Sequence, residues 1–354
     1  MRAFFERWRY QILGGAALLL LIVIVVSVRG SRPQTAAYGL PQPTWRLFWR
    51  PMVMGFYENG GGSDPGSWPS LQAHASQMQI VSPYWYRIDA SGSLTADNTD
   101  RHVVTFSHQK KLRVWPLIGN AGTNPMYSTP TRTAMTKTIM NLVQKYNYDG
   151  AFIDFELLAP YSRDDLSTFL NDLGQEMHKL GKGVGVAVFP KVGVSKSITD
   201  PYDYPALGTV TDAVVIMAYD HHYDGGPPGA VAPLPWVKQN LGFALQHIPK
   251  ARIYLGVAAY GYDWNQGGST TTVSTLQAQA LLTKYGIQPT WDPSAQEYHF
   301  HYVDNGSHDV WYEDERSFDT KLGLAKSTHI GGLALWRLGY ESPAIWARLR
   351  HTIL

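Results

Sequence analysis

Eight short apolar runs punctuate the chain: Met52–Tyr57, Ile80–Trp85, Leu112–Ile118, Ala151–Phe155, Val184–Phe189, Ala213–Ala218, Ile253–Ala258 and Leu333–Trp336. Between them lie longer amphipathic segments such as Arg132–Tyr146, Asp164–Leu180, Pro235–His247 and Glu315–Ser327. Repeated strand–helix units pair in parallel, and eight of them predict an α/β fold, a (β/α)8 or TIM barrel. Helix start signals agree with this, since Ser162 precedes Asp164 and Asp165, whose charges suit the positive end of a helix dipole. One interval is out of scale: more than seventy residues separate the seventh and eighth runs, where the others recur at about thirty to forty. Inside it Tyr298–Val303 and Asp309–Tyr312 alternate around Asn305-Gly306, a hairpin signal. A small α+β insertion between strands 7 and 8, at about 262–314, is therefore expected.

Upstream of the barrel region, 49–354, the chain carries no charge from Ile12 to Val28, with Arg2, Arg7 and Arg9 before this run and Arg29 and Arg32 after it. As a helix it spans roughly 25 Å, close to the hydrocarbon core of a bilayer. Trp8 and Tyr10 suit the headgroup region. A cleavable signal peptide is the alternative, but the run exceeds the usual ~7–15 residues and no small-x-small cleavage site follows. The expectation is an uncleaved transmembrane helix over 12–28, a cytoplasmic N-terminus over 1–11 and a proline-containing linker over 29–48. The slight arginine bias places the barrel outside the cell membrane on a single-pass anchor.

Composition narrows the chemistry. At 354 residues, 44% hydrophobic and 16% charged, the chain suits a globular domain with a large core plus one extra element. A net charge of +2 with no long basic run argues against nucleic acid. The absence of cysteine excludes disulfides, thiolate catalysis and cysteine-ligated zinc. Gly60–Gly62 lacks the Lys-Ser/Thr of a phosphate loop, and no cofactor site is assigned. Ser107-x-x-Lys110 is only a fragment of a nucleophile pattern, and no Gly-x-Ser-x-Gly elbow occurs. His221-His222 and His299-x-His301 have no third ligand placed, so no metal is assigned. Asn305-Gly306-Ser307 matches a glycosylation acceptor, although the turn accounts for it equally.

The fourth run carries the chemistry. In Tyr148-Asp149-Gly150-Ala151-Phe152-Ile153-Asp154-Phe155-Glu156, alternation puts Phe152, Asp154 and Glu156 on one face and Ala151, Ile153 and Phe155 on the other. Burying ionised carboxylates is costly unless something answers them, so a pair on a buried strand marks a site. Alternate strand residues lie about 6.6–6.8 Å apart, close enough for like charges to raise one pKa. A raised glutamic acid is a competent proton donor near neutral pH. Active sites of such barrels lie at the C-terminal ends of the strands, which selects Asp154 and Glu156 and leaves Asp149, at the strand start, structural. Met217-Ala218-Tyr219-Asp220 ends the sixth run and Trp336 the eighth, adding a phenol, a third carboxylate and a flat ring.

These residues resemble glycoside hydrolase family 18. The fourth run looks like that family's D-G-x-x-x-D-x-E signature, Met217–Asp220 like its M-x-Y-D, and Trp336 like the tryptophan of its last strand. Trp85-Tyr86-Arg87, Leu255–Trp264, Val310–Asp314 and Trp336–Tyr340 are most similar to the spore-germination type of peptidoglycan hydrolase. The resemblance implies retaining, substrate-assisted hydrolysis without an enzyme nucleophile. Glu156 would be the general acid and base, Asp154 would orient the substrate's 2-acetamido group, and Tyr219 would donate to its carbonyl oxygen. Trp336 would floor the sugar, with Tyr57, Asp220 and Met217 as further contacts. The implied substrate is an N-acetylated polysaccharide, peptidoglycan before chitin. One position departs from the family: many members carry an acid two residues before the middle Asp, where this chain has Phe152. The rival reading is accordingly a catalytically weak or silent carbohydrate-binding barrel. A partner-binding scaffold would need none of these groups.

Overall fold

The computed structural model describes residues 49–353 apart from 62, 63 and 65. The expected transmembrane segment 12–28 and linker 29–48 lie outside the described residues. Among the described residues no helix is long and apolar enough to cross a membrane.

Fifteen strands are described: β1 (Met52–Tyr57), β2 (Ile80–Ile88), β3 (Leu94–Asp97), β4 (Arg113–Val114), β5 (Leu117–Asn120), β6 (Gly150–Asp154), β7 (Gly183–Val188), β8 (Ala213–Ile216), β9 (Ile253–Ala258), β10 (Tyr260–Gln266), β11 (Thr271–Ser274), β12 (Thr290–Asp292), β13 (Glu297–Val303), β14 (Ser307–Tyr312) and β15 (Gly332–Trp336). Eight of them form a parallel sheet in the order β1-β15-β9-β8-β7-β6-β5-β2, closed by pairing of β1 with β2. This is the expected barrel. The third predicted run is broken at Trp115-Pro116, because Pro116 has no N–H to give the ladder; its halves, β4 and β5, both pair with β2. The hairpin of β2 with β3 was not predicted, since Leu94–Asp97 is short and alternates exposed with half-buried residues.

Strand alternation divides the core in two. Met54, Phe56, Trp115, Leu117, Phe152, Met217 and Tyr254 fill the barrel interior. Ala151, Ile153 and Phe155 of the acid-bearing segment face the helices with Val184, Val186 and Val214. Four expected helices appear within three residues of their forecast ends, at Thr129–Tyr146, Arg163–Lys179, Leu234–His247 and Glu315–Thr328. Ser162 is a correction: it occupies the N-cap position, but its hydroxyl makes no capping bond, because a 3₁₀ turn over Pro160–Ser162 leads into the helix and buries it.

At the N-terminal end of the barrel Asp149 accepts from the backbone N–H of Val114 at 2.9 Å and lies 3.0 Å from His108 Nε2. Asp212 repeats the arrangement two strands later, with Val184 N–H at 2.9 Å and His178 Nε2 at 2.8 Å. Each acid pins a strand start to a neighbouring helix, the structural role expected for Asp149.

Between β9 and β15 the chain builds an antiparallel sheet, order β11-β10-β14-β13-β12. The hairpin of β13 and β14 turns at Asn305 and Gly306, both with positive φ. A helix over Thr275–Tyr285, closed by a Ser274/Gln277 capping box, belongs to the same unit. Glu297 ties the insertion to the barrel by accepting from the backbone N–H groups of Val231 and Ala232 at 2.8 and 2.6 Å. Lys321 bonds Glu313 and lies 3.7 Å from Glu297, all three being buried.

Candidate active site

The acid pair stands where β6 runs out. The strand ends at Asp154, and Glu156 lies just beyond the ladder. Its backbone is held instead by Asn120 at the end of β5, whose amide accepts from Glu156 N–H at 2.8 Å and donates to Glu156 C=O at 3.0 Å. Leu157 then turns the chain at φ +49°. Both carboxyls are half-buried. Burial pushes Asp154 up to about 7. Burial pushes Glu156 further, helped by the charges of Asp154 and Asp220 and opposed by Arg87. Asp154 Oδ1 has no hydrogen-bond partner among the described residues.

Tyr219 follows β8 and its phenol is pushed well above the ordinary range, first by burial and then by the charges of Asp154, Asp220 and Glu156. Gly256 of β9 makes room for it: a Cβ there would stand 3.0 Å from the Tyr219 ring and 2.6 Å from the Ile216 carbonyl oxygen. Met217 is buried in the interior cluster, with Tyr219 and Trp336 packed against it. Trp336, half-buried at the end of β15, has its ring 5.2 Å from Phe56. Phe56 in turn meets Phe152 edge-on at 5.3 Å.

Phe152 is therefore the base of an aromatic column under the site rather than an empty position. It is 0% exposed, and Gly185 on β7 yields the space, since a Cβ there would meet the Phe152 ring at 2.5 Å. Asp220, with φ +58°, stands exposed at the rim, where its Oδ1 accepts from Tyr260 at 2.5 Å and Tyr262 at 2.9 Å. Loss of hydration beneath the rim, helped by the charge of Asp224, moves its carboxyl up to about 6, against the pull of the two phenols.

Asp154, Glu156, Tyr219, Met217, Trp336 and Asp220 are thus brought to one end of the barrel. Tyr57 is not. It is 2% exposed and packs against Trp85 in the layer between sheet and helices, because alternation along β1 turns Phe56, not Tyr57, inward. Sequence reasoning gave no site role to Asn120, Tyr84, Arg87, Tyr260 or Tyr262, although Arg87, Tyr260 and Tyr262 lie in segments that carry the resemblance. The spacing of Tyr260 and Tyr262 on one strand face was a legible signal, whereas Asn120 meets Glu156 from 36 residues away in the chain. Among the described residues no group of three or more His, Cys, Asp or Glu is placed to hold a metal.

A glutamic acid whose pKa is raised, beside a second carboxyl and an indole at the same mouth, is the equipment expected of a glycoside hydrolase. Comparison with known proteins agrees: the chain belongs to Glycosyl hydrolases family 18, whose pattern matches residues 52–341. It is 30% identical over 304 residues to the "Uncharacterized glycosylase YvbX" of Bacillus subtilis, covering 81% of this chain and 88% of that one. It is 35% identical over 229 residues to the "Cortical fragment-lytic enzyme" of Bacillus anthracis, covering 61% of this chain and 53% of the relative, so the match spans about half of that protein. The solved spore cortex-lytic enzyme SleL of Bacillus cereus superposes with a TM-score of 0.80 at 26% identity, covering 86% of this chain and 75% of that one.

Proposed function

We propose that this glycosidase cleaves N-acetylglucosaminyl linkages of peptidoglycan by substrate-assisted retention, at the outer face of the membrane to which residues 12–28 tether it. The observation that carries the mechanism is Asp154 Oδ1, without a hydrogen-bond partner among the described residues, beside Glu156, whose pKa burial raises. A half-buried carboxylate oxygen without a partner is costly, and an acetamido N–H from a bound sugar would satisfy it. That bond turns the acetamido carbonyl oxygen toward the anomeric carbon, and the Tyr219 hydroxyl donates to the same group. Glu156 gives its proton to the departing glycosidic oxygen as the acetamido oxygen closes an oxazolinium ring. Water then opens the ring, with Glu156 taking back a proton. No enzyme nucleophile is used. The names of the relatives, cortical fragment-lytic and spore cortex-lytic, support peptidoglycan before chitin.

The reading is tested with the full chain on purified glycan strands, measuring released reducing ends. Glu156→Gln is expected to abolish release while leaving the thermal midpoint unchanged or higher, and de-N-acetylated strands are expected to resist the wild type. Equal release by wild type and E156Q would overturn the role of Glu156. Comparable turnover of acetylated and de-acetylated strands would overturn the substrate-assisted route. Binding without release by the wild type is the outcome expected of a silent carbohydrate-binding barrel, the reading that apolar Phe152 favours.

A further inference from the structure

A groove of about 800 Å³ is bounded by β2, β3 and the loop after β1, with Tyr84 and Arg87 in its lining. Its charges are unequally answered. Glu58 and Asp64 both face Arg337, whose side chain is 2% exposed; its Nε lies 3.1 Å from Glu58 and its Nη2 bonds Asp64. Arg87, half-buried in the same groove, donates from Nη2 to the Tyr84 hydroxyl at 2.6 Å and has no carboxylate oxygen within 4.0 Å among the described residues. Cations removed from water are normally paired, and an unpaired one at a ligand groove is poised for an anion.

Strand register shows where that anion would lie. Arg87 is opposite Gly119 of β5, and Gly119 is opposite Asp154 of β6. Two strand spacings separate Arg87 from Asp154, about 9–10 Å between backbones, roughly the span of one sugar and its substituent. A register shift between Tyr84 and Tyr86 brings Arg87 to the side of Tyr84, a member of the interior cluster, so the guanidinium meets the mouth and not the helix layer. Its charge already reaches the site, where it lowers the pKa of Glu156. The planar fork of arginine matches a carboxylate with two parallel bonds.

We propose that Arg87 is the specificity residue that receives the carboxylate of an acidic amino sugar, or of the peptide attached to it, next to the N-acetylated sugar seated at Asp154. This deepens the reading of the cleft as a peptidoglycan site and rests on it. A neutral N-acetylglucosamine polymer offers Arg87 no such group, so the residue discriminates between two polymers that share the acetamido chemistry.

Binding, rather than turnover, tests it, so that failure of hydrolysis and failure of this proposal are separable. The full-length chain carrying Glu156→Gln is titrated with peptide-stripped strands bearing free lactyl carboxylates, with the same strands amidated, and with strands bearing peptide stems. Free carboxylates are expected to bind about tenfold more tightly than amides, the usual scale of a hydrogen bond to a charged group. Preference for stripped strands assigns the carboxylate to the sugar, and preference for stem-bearing strands assigns it to the peptide. Adding Arg87→Gln should reduce the free-to-amide ratio to about one, while Arg87→Lys retains part of it. A free-to-amide ratio near one in E156Q combined with no preference for stem-bearing strands, or a preference of either kind unaltered by R87Q, overturns the proposal. The ratio is read within each protein, so a general loss of affinity does not imitate the result.

Discussion

The burial of Asp154 and Glu156 and the charge between them set the direction of the pH effects expected at the site. Burial raises both, and the Asp154 charge raises Glu156 further. A general acid works while it holds its proton, so turnover should persist through neutral pH and fall as pH rises through the raised pKa of Glu156. Asp154→Asn removes part of that elevation. Its kcat/KM profile should show an alkaline limb displaced to lower pH, with kcat reduced by about 10²-fold or more because the acceptor that orients the acetamido group is weakened. A limb that stays in place would mean Asp154 contributes nothing to the proton affinity of Glu156. Acids whose folded pKa is raised favour folding below their unfolded pKa and oppose it as pH climbs through the folded value. The neutral amide in E156Q is spared that cost at alkaline pH, which is why no loss of stability is expected of it. Phe152 shows what a residue cannot reveal by itself: the chain states that an acid is missing, but Gly185 and Phe56, which turn the substitution into packing, come from other strands.

Strand starts and strand ends do different work. The His178–Asp212 contact pins a helix to β7 and β8, and the hydrogen bond to Asp212 raises the His178 pKa against the effect of burial. A histidine with a raised folded pKa stabilises fully below its unfolded value, near 6.5, and that contribution is lost as pH rises through the folded value. His178→Ala should therefore lower stability by about 1 kcal/mol more in acid than in mild alkali, read as a melting-temperature deficit that narrows with rising pH. A pH-independent deficit would make the contact one of packing alone. At the other end, the insertion contributes to the site rather than merely interrupting the barrel. Its first strand, β10, supplies the two phenols that hold Asp220, directly after Tyr219 in the chain. The long interval and the Asn305-Gly306 turn made the insertion legible, whereas β11 and β12 are three or four residues long and carry too little periodicity to be seen.

For the molecule as a whole, the uncharged run Ile12–Val28 predicts a tether and the prolines after it a reach of several nanometres at most. On fractionation the full chain should remain with membranes through a high-salt wash and be released by detergent, while a chain beginning near residue 45 should be released without it. A full-length chain recovered mature and soluble outside cells would remove the anchor. The barrel topology and the strand-end positions of Asp154, Glu156, Tyr219 and Trp336 were legible in the chain alone, because strand alternation and helix periodicity are local consequences of where apolar side chains must go. Tyr57 was misjudged for the same reason it is buried: neighbours on one strand point to opposite faces, and only the closed sheet decides which face is the lumen. The Asn120 clamp on Glu156, the Gly185 hollow beside Phe152 and the place of Arg87 two strands from Asp154 came from the tertiary structure. Each is a relation between residues brought together by strand register, and register across a closed barrel is a property of the whole sheet.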